Sequence, residues 1–502
     1  LPFPVGKRRR GTREHSCTPP TDRHLTSLIP GPPRRSHEHA LYTDAVIIPV
    51  DPALPRWFVG WLAVDDAGRI TGLGGGTPPT AAAGTTVDLD GAFLAPGFVS
   101  AHSHIYTGGM RGIAHSEPLY TWVTQNSAML AEADPEIMYW LSRAGGLDHL
   151  AAGITSVYNF TQSRVVCRFD YASSTLKAVK VHEPDFVTRQ IDGVADAGIR
   201  SVTSVRVDDE QLPEQDAVAG FDAAMAHLAT IDATTPAFNL GGSVYGAVQW
   251  ASGRRTAELE KELMAKWAIT NQAHFVETAE QIEIQQAKFD WYDDAGVLGT
   301  DFAFGHFVHP TERMVDRVVE SGTSVVWQAM SNGRLGSGIA DITGLLAKDV
   351  TVGMGVDDQS CTDTSDPFEN MRTGLFTQRA VHSDASIMSV DQVLHLHTLG
   401  SASSIGVADK VGSLTVGKYA DLVVVDPRHP ATGPVWDPVA TYVLACGLRH
   451  LRRVYVGGKV AFDADLPGGV TGADGVTYDE VNRAADEGMV RSAVAGGFTP
   501  AY

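Results

Sequence analysis

The stretch FVSAHSHIYTGG, residues 98–109, places His102 and His104 one residue apart at the end of an apolar run. On a strand, side chains two apart share a face, so the two imidazoles stand side by side. On a helix the same spacing turns them roughly 200° apart. Whether they form a site or are two of the chain's 18 histidines that fell close together therefore depends on the backbone around them.

Working outward, the texture beyond Phe93 is an alternation of strand-like and helical runs. FLAPGFVSAH, ITSVYNF, IRSVTSVRV, AFNLGGSVYG, AHFVE, DFAFGHFV, TSVVWQA and VTVGMGVDD read as strands, each followed by a helix or a long loop. About eight such units are the signature of a (β/α)8 barrel, an α/β fold whose chemistry sits at the C-terminal ends of its strands. From Ala40 to about Gly91 the runs are short, β-rich and separated by Gly, Pro and Asp, and VGSLTVGKYADLVVVD and LRRVYVGGKVAFD return to that texture near the other end. The reading is a barrel at 93–413 flanked by a composite β-sandwich domain from 39–92 and 414–502. GLGGG at 72–76 is followed by TPPTAAAG, which opens no helix, so it reads as a turn rather than a phosphate loop.

Residues 1–38 are rich in Arg, Pro and Ser, with the run Lys7-Arg8-Arg9-Arg10, and read as a disordered basic leader without the apolar core of a secretory signal. No apolar run approaches the ~20 residues that cross a bilayer. The formal charge of −20 repels phosphate backbones, which argues against nucleic acid as a partner and leaves a small molecule. It leaves room for a homo-oligomer. Cys17, Cys167, Cys361 and Cys446 form no C-x-x-C pair, so neither a disulfide framework nor a thiolate zinc site is indicated, and a reducing cytoplasm is the expected setting.

The polar residues at the predicted strand ends are His102 and His104 on the first strand, His274 on the fifth, His306 on the sixth and Asp357 on the eighth, with Glu277 three beyond His274. Neutral imidazoles with a carboxylate are what a catalytic Zn²⁺ or Fe²⁺ takes, one position being left open for water. Each alone has a plainer reading: the pair His395/His397 lies in a helix and diverges, His274 can be a satisfied strand-end histidine, and Asp357 can cap a helix. Their order and strand-end placement together point to one ion.

FLAPGFVSAHSH, HFVETAEQ, GHFVH, SNGRLGSGI, GMGVDD and VGSLTVGKYADLVVVD resemble, in content and order, the amidohydrolase superfamily, and most of all its cytosine deaminase and triazine hydrolase (chlorohydrolase-like) branch. The resemblance spans roughly residues 40 to 465. It implies that His102, His104, His274 and Asp357 hold one divalent metal ion, Zn²⁺ or Fe²⁺, and that Glu277, His306 and Asp357 carry the catalysis. Two-metal members bridge their ions with a lysine ending strand 4; GGSVYGAVQW has none, so a single ion is expected, with His309 ranking behind His306 for the second histidine role. Such an ion lowers the pKa of water from ~15.7 toward ~7. Asp357 then takes the water proton, Glu277 protonates a ring nitrogen or the leaving group, and His306 steadies the developing charge.

Two departures from the resemblance stand near the pocket: Trp327 and Gln328, placed to reshape its floor, and Asp358, where relatives commonly carry glycine. His115, Glu117 and Trp122 follow strand 1 on a long loop and are candidates to line the pocket, while Cys361 lacks the His-Asn pattern of a nucleophile. The expected activity is metal-dependent hydrolysis of non-peptide C–N bonds, foremost deamination of an amino-substituted N-heterocycle. Hydrolysis of an acyclic amide or urea, dechlorination, and a catalytically silent binding barrel are the alternatives.

Overall fold

Five strands open the described chain: β1 (Ala40–Ile47), β2 (Phe58–Val64), β3 (Ile70–Gly75), β4 (Thr85–Asp88) and β5 (Phe93–Pro96). Then follow β6 (Phe98–His104), β7 (Ile154–Phe160), a hairpin of β8 (Val165–Asp170) and β9 (Thr175–Val181), β10 (Arg200–Val205), β11 (Asn239–Gly246) and β12 (Thr270–Phe275). The remainder are β13 (Phe302–His306), β14 (Ser324–Trp327), β15 (Val352–Met354), β16 (Asp357–Asp358), β17 (Leu422–Val425), β18 (Leu451–Val456) and β19 (Lys459–Asp463). This is a computed structural model and describes residues 40–79, 85–234, 238–466, 468–470, 472 and 474–501; the basic leader read from the sequence lies outside them.

β6, β7 and β10 to β16 form one sheet in which every neighbouring pair is parallel, in the order β15-β14-β13-β12-β11-β10-β7-β6-β16. This is the expected barrel. Its eighth strand is in two pieces: β15 pairs with β14, and after Gly355-Val356 the short β16 pairs with β6, aligning Asp357 with Ser103 and Asp358 with His104. Each predicted barrel strand is present. The run FLAPGFVSAH, read as one strand, is two: β5 belongs to the other sheet, and Gly97 alone separates it from β6.

The second sheet joins both chain ends, in the order β19-β18-β17-β5-β1-β2-β3 with β4 beside β1. The stretch 72–76, read as a turn, is mostly strand: its glycines let β2 and β3 close up. A Cβ on Gly60 would lie 1.9 Å from the Gly74 carbonyl oxygen, and one on Gly72 3.3 Å from the Trp61 ring. Helix α1 (Leu119–Leu130) follows β6, and α2 (Pro135–Ala151) and α3 (Asp185–Ala197) cover the barrel beside β7 and β10. The last helix, Tyr478–Ala495, packs Ala485, Met489 and Ala493 against Ile137, Met138 and Leu141 of α2. No helix among the described residues is long and apolar enough to cross a membrane.

The hairpin is the element the alternating pattern did not foresee, since it interrupts the expected passage from β7 to its helix. Its sequence carries the ordinary signals: VVCRFD and TLKAVKV alternate about a polar turn. His395 and His397 do diverge, the first at the end of the helix Val390–His395, the second fully buried and bonded to Asn370 and the Val99 carbonyl.

One buried ion pair ties the two sheets together. Arg200, the first residue of β10, donates to Asp421 just before β17, Nε to Oδ2 at 2.7 Å and Nη2 to Oδ1 at 2.9 Å, and both side chains are buried. The Tyr419 ring lies between guanidinium groups, Arg200 at 3.7 Å and Arg69 at 4.0 Å from its centroid. Removing one member of such a pair leaves the other charge stranded in the interior. Asp421→Ala should therefore lower stability by about 3–5 kcal/mol, read as a shift in the urea midpoint of unfolding by circular dichroism, and Arg200→Met in the Asp421→Leu background should recover part of it.

Candidate metal centre

β6 carries His102 and His104 on one face, β12 brings His274, and β16 brings Asp357. Each of the four offers a ligand atom within 4.8 Å of the others, and all are buried. His274 Nε2 is 3.1 Å from Nε2 of both His102 and His104, and Asp357 Oδ1 is 3.4 Å and 3.7 Å from the same two nitrogens. Phe160 closes the cluster from β7, stacked on His104 at 4.8 Å and tilted against His102 at 4.5 Å.

Burial sets the protonation of this group. It pushes His104 down to about 3 and His274 well below the usual histidine range, in each case reinforced by the neighbouring imidazoles, so both are neutral lone-pair donors at pH 7. Burial alone would raise Asp357, but the surrounding imidazoles, His102 first, outweigh this and hold it well below the usual carboxylate range. Three imidazoles and an ionised carboxylate converging on one point form a donor set that fits one divalent ion.

Gln272, two residues before His274 and so on the same face of β12, fixes the nearest ring. It donates from Nε2 to the Ala101 carbonyl at 3.0 Å, and its Oε1 accepts from His102 Nδ1 at 2.6 Å, which leaves the His102 Nε2 lone pair facing the cluster. The opposite tautomer is set at His306. Asn332 Nδ2 donates to His306 Nδ1 at 2.9 Å, so the proton sits on Nε2, which faces Asp357 Oδ2 at 3.8 Å. Glu277 Oε1 lies 3.6 Å from His306 Nδ1 and has no hydrogen-bond partner, and burial followed by the charge of Asp357 raises Glu277 well above the usual carboxylate range. Two of these positions adopt left-handed backbone, His306 at φ +67° and Asp357 at φ +64°, conformations uncommon outside glycine and typical of functional sites.

The sequence model of the Amidohydrolase family matches residues 93–461. The chain belongs to that family. It is 26% identical over 437 residues, 84% of this chain and 92% of the relative, to a 5-methylthioadenosine/S-adenosylhomocysteine deaminase of Desulforudis audaxviator. A shorter stretch of 165 residues, 33% of this chain and 35% of the relative, is 35% identical to the S-triazine hydrolase of Gordonia rubripertincta. In fold it is similar to an adenosine deaminase from Xanthomonas campestris solved with bound zinc, at TM-score 0.74 and 22% identity over 91% of this chain and 98% of that one. It is also similar to the atrazine chlorohydrolase of Arthrobacter aurescens TC1 complexed with zinc, at TM-score 0.75 and 18% identity over 90% of this chain and 100% of that one.

The remaining sequence candidates of this amidohydrolase divide. Trp122 lines the cavity above the cluster; His115 is exposed, and neither it nor Glu117 reaches the lining. His309 is engaged elsewhere, bonded through Nε2 to the Ser337 carbonyl at 2.6 Å. Trp327 and Gln328 do not form the pocket floor: the Trp327 ring is buried against Gly374 of the helix Pro367–His382, and Gln328 Oε1 accepts the His306 backbone N–H at 2.8 Å from behind. Asp358 does reach the site, with Oδ2 3.6 Å from His104 Nε2, and it forms a second converging group with Asp357 and Cys361. Cys361 is fully buried and its thiol is raised well above its usual range, first by burial and then by these two carboxylates, which keeps it a thiol. At the end of β11, where a bridging lysine would stand, Tyr245 packs 6.1 Å from the His104 ring.

Gln272 and Asn332 carried no role in the sequence reading. The signal for Gln272 was its place two residues before His274, one layer deeper on the same face. Gln272→Leu should weaken divalent-ion binding about 10–100-fold in chelator competition while the far-ultraviolet circular dichroism stays that of the parent. Unchanged competition would show that Gln272 does not set the His102 ring.

Proposed function

We propose that this amidohydrolase removes ammonia or an amine from an sp² carbon of a nitrogen heterocycle, with one divalent ion held by His102, His104, His274 and Asp357. The observation that carries the reading is the pair Glu277 and His306. Both are buried, each has an unpartnered atom, Glu277 Oε1 and His306 Nε2, and both border the donor set. The names of the full-length relatives, deaminases of adenine-bearing compounds, support the substrate class, and the zinc in the similar structures favours Zn²⁺ over Fe²⁺.

Held there, the ion supplies Lewis acidity and brings the pKa of water toward neutrality. Asp357, ionised and in reach of the same point, accepts the proton of the attacking water. Glu277, kept in its acid form by burial, gives its proton to the ring nitrogen as oxygen adds to the neighbouring carbon, and the nitrogen lone pair that forms is thereby neutralised. His306 Nε2–H steadies the negative charge on oxygen. Collapse breaks the exocyclic C–N bond: the proton taken by Asp357 leaves on the amine, and the proton remaining on the added oxygen returns to Glu277 as the C=O forms, so water and amino-heterocycle give the oxo-heterocycle and ammonia.

The stretch shared with the S-triazine hydrolase favours a second reading, hydrolytic displacement at a triazine ring carbon, with chloride, the group named for the atrazine chlorohydrolase of similar fold, as the leaving group. Within the cell we place the protein in the cytoplasm, because Cys167, Cys361 and Cys446 are free, buried thiols suited to a reducing compartment.

The test is a panel of amino-heterocycles, chlorotriazines and aryl ureas assayed separately for ammonia, chloride and aniline, on protein with its metal counted by elemental analysis. Ammonia release with close to one ion per chain is expected; aniline from ureas with silent heterocycles would overturn the deaminase reading, and two ions per chain the mononuclear one. Glu277→Gln should keep the ion and lose about 10²–10⁴-fold in turnover, and His104→Ala should lose the ion itself.

A further inference from the structure

The cavity above the donor set encloses about 850 Å³, its open mouth included, and its wall is unusual in where it comes from. Leu119, Trp122 and Val123 of α1 face Val165, Cys167 and Leu176 of the hairpin β8–β9 across it. The alternation along β8 turns Val165, Cys167 and Phe169 inward and leaves Arg168 exposed, so the hairpin presents a continuous apolar face to the cavity side. These residues, with Trp250 and Leu335, form a hydrophobic cluster of their own at the barrel mouth, separate from the main core. An enzyme that only had to cover its metal with a loop has no need of a second core there.

The hairpin is fastened rather than laid on. Tyr120 of α1 stacks on Phe169 at 3.8 Å with the rings 3° apart, and Thr124 accepts the Phe169 backbone N–H at 3.2 Å. At the tip, Ser174 donates to Gln281, and Gln281 Nε2 donates to the Tyr171 carbonyl at 3.4 Å. Gln211 Nε2 donates to the Leu176 carbonyl at 3.3 Å. It is thus bound to the segments that follow β6, β10 and β12, and Gln281 lies four residues beyond Glu277.

Several polar side chains on this part of the wall are engaged by the protein, while Trp250 Nε1 has no hydrogen-bond partner. Asn126 donates to the Trp122 carbonyl and accepts from Ser360, Gln162 accepts from Tyr106 and donates to Ser163, and Ser163 donates to Asp208. Arg206, the one cation among the described lining residues, donates from Nη2 to Gln211 at 3.2 Å and pairs with Asp208 at 3.5 Å, its Nε being left without a hydrogen-bond partner. Against the apolar face made by Leu119, Trp122, Val165, Cys167 and Leu176, a sugar or carboxylate would lose its hydration without regaining its hydrogen bonds, at a cost of about 1–3 kcal/mol for each unpaired polar group.

We propose that the hairpin β8–β9 is the specificity element of the site and that the substrate carries an uncharged apolar substituent, aryl or branched alkyl, seated between α1 and Val165, Cys167 and Leu176. This rests on the reading of the site as a heterocycle hydrolase and narrows it away from ribosylated and carboxylated compounds.

The experiment compares one amino-heterocycle bearing a phenyl, a ribosyl or a carboxyethyl group, using the metal-loaded protein. It follows ammonia release and, independently of turnover, quenching of Trp122 and Trp250 fluorescence on binding. The phenyl compound should exceed the other two at least tenfold in kcat/KM and in affinity. Leu176→Asp should reduce that ratio at least tenfold with the metal content unchanged, and Leu176→Met should restore it. Equal or better use of the ribosyl or carboxyethyl compound by the parent protein overturns the proposal even if Leu176→Asp does not fold. Binding of the phenyl compound that depends on Leu176, with no ammonia from any of the three, would sink the deaminase reading and leave the chamber standing. Ammonia released from all three alike would do the reverse.

Discussion

The return of strand 8 onto strand 1 is the constraint on which this site depends. β16 is only two residues long, yet its pairing with β6 is what brings Asp357 to His102 and His104. The chain reaches that position because Gly355 passes close to His102: a Cβ there would lie 2.6 Å from both Cβ and the carbonyl oxygen of His102. The break between β15 and β16 is stitched by hydroxyls of the first strand and the turn after it. Ser100 Oγ accepts the Val356 N–H at 3.0 Å, and Thr107 Oγ1 accepts that of Gln359 at 2.9 Å. The left-handed backbone at Asp357 is tolerated because these bonds hold the residues around it. Closing the barrel and assembling the donor set are therefore one event.

Within that frame two histidines of similar burial are given opposite proton positions by neutral amides. Gln272 accepts from His102 Nδ1 and leaves a lone pair at Nε2; Asn332 donates to His306 Nδ1 and leaves a proton at Nε2. The first is suited to hold a cation and the second to donate a hydrogen bond. This gives a structural reason, independent of the missing strand-4 lysine, for a single ion. A second one would have to displace the proton that Asn332 fixes on His306. Charge follows the same division, with Asp357 ionised among imidazoles and Glu277 acidic a few ångströms away, a separation of roles produced by environment alone.

Much of this was legible in the sequence, for identifiable reasons. A strand's period of two makes His102 and His104 a pair, and the rule that barrel chemistry sits at strand ends selects His274, His306 and Asp357 from 18 histidines and 59 acids. What escaped depended on distances between strands or on side-chain direction. Trp327 ends β14 but faces outward with Val325, while Val326 takes the inner position; one residue of parity moves it from the pocket to the helix layer. Alternation along β13 puts Phe302 and Phe304 on that outer side too, and only the left-handed turn at His306 departs from it. Asn332 lies within the quoted SNGRLGSGI, but nothing in its neighbours reveals that it reaches a histidine 26 residues earlier.

The hairpin shows why a barrel can change what it accepts without changing what it does. It leaves the chain after β7, a strand that contributes Phe160 behind the imidazoles but none of the four converging ligand atoms. Its fastenings run to helix α1 through Thr124 and to loops through Gln211 and Gln281, and not to the donor set. Substitutions on its inner face therefore alter the shape and polarity of the cavity while the closure of β16 on β6 is untouched. Backbone geometry at Asp357 is left-handed and over-determined by the bonds around it, so little there can vary. The apolar wall is held by ring stacking and a handful of hydrogen bonds, so variation costs little there, and that asymmetry places chemistry in the barrel and selectivity in the insertion.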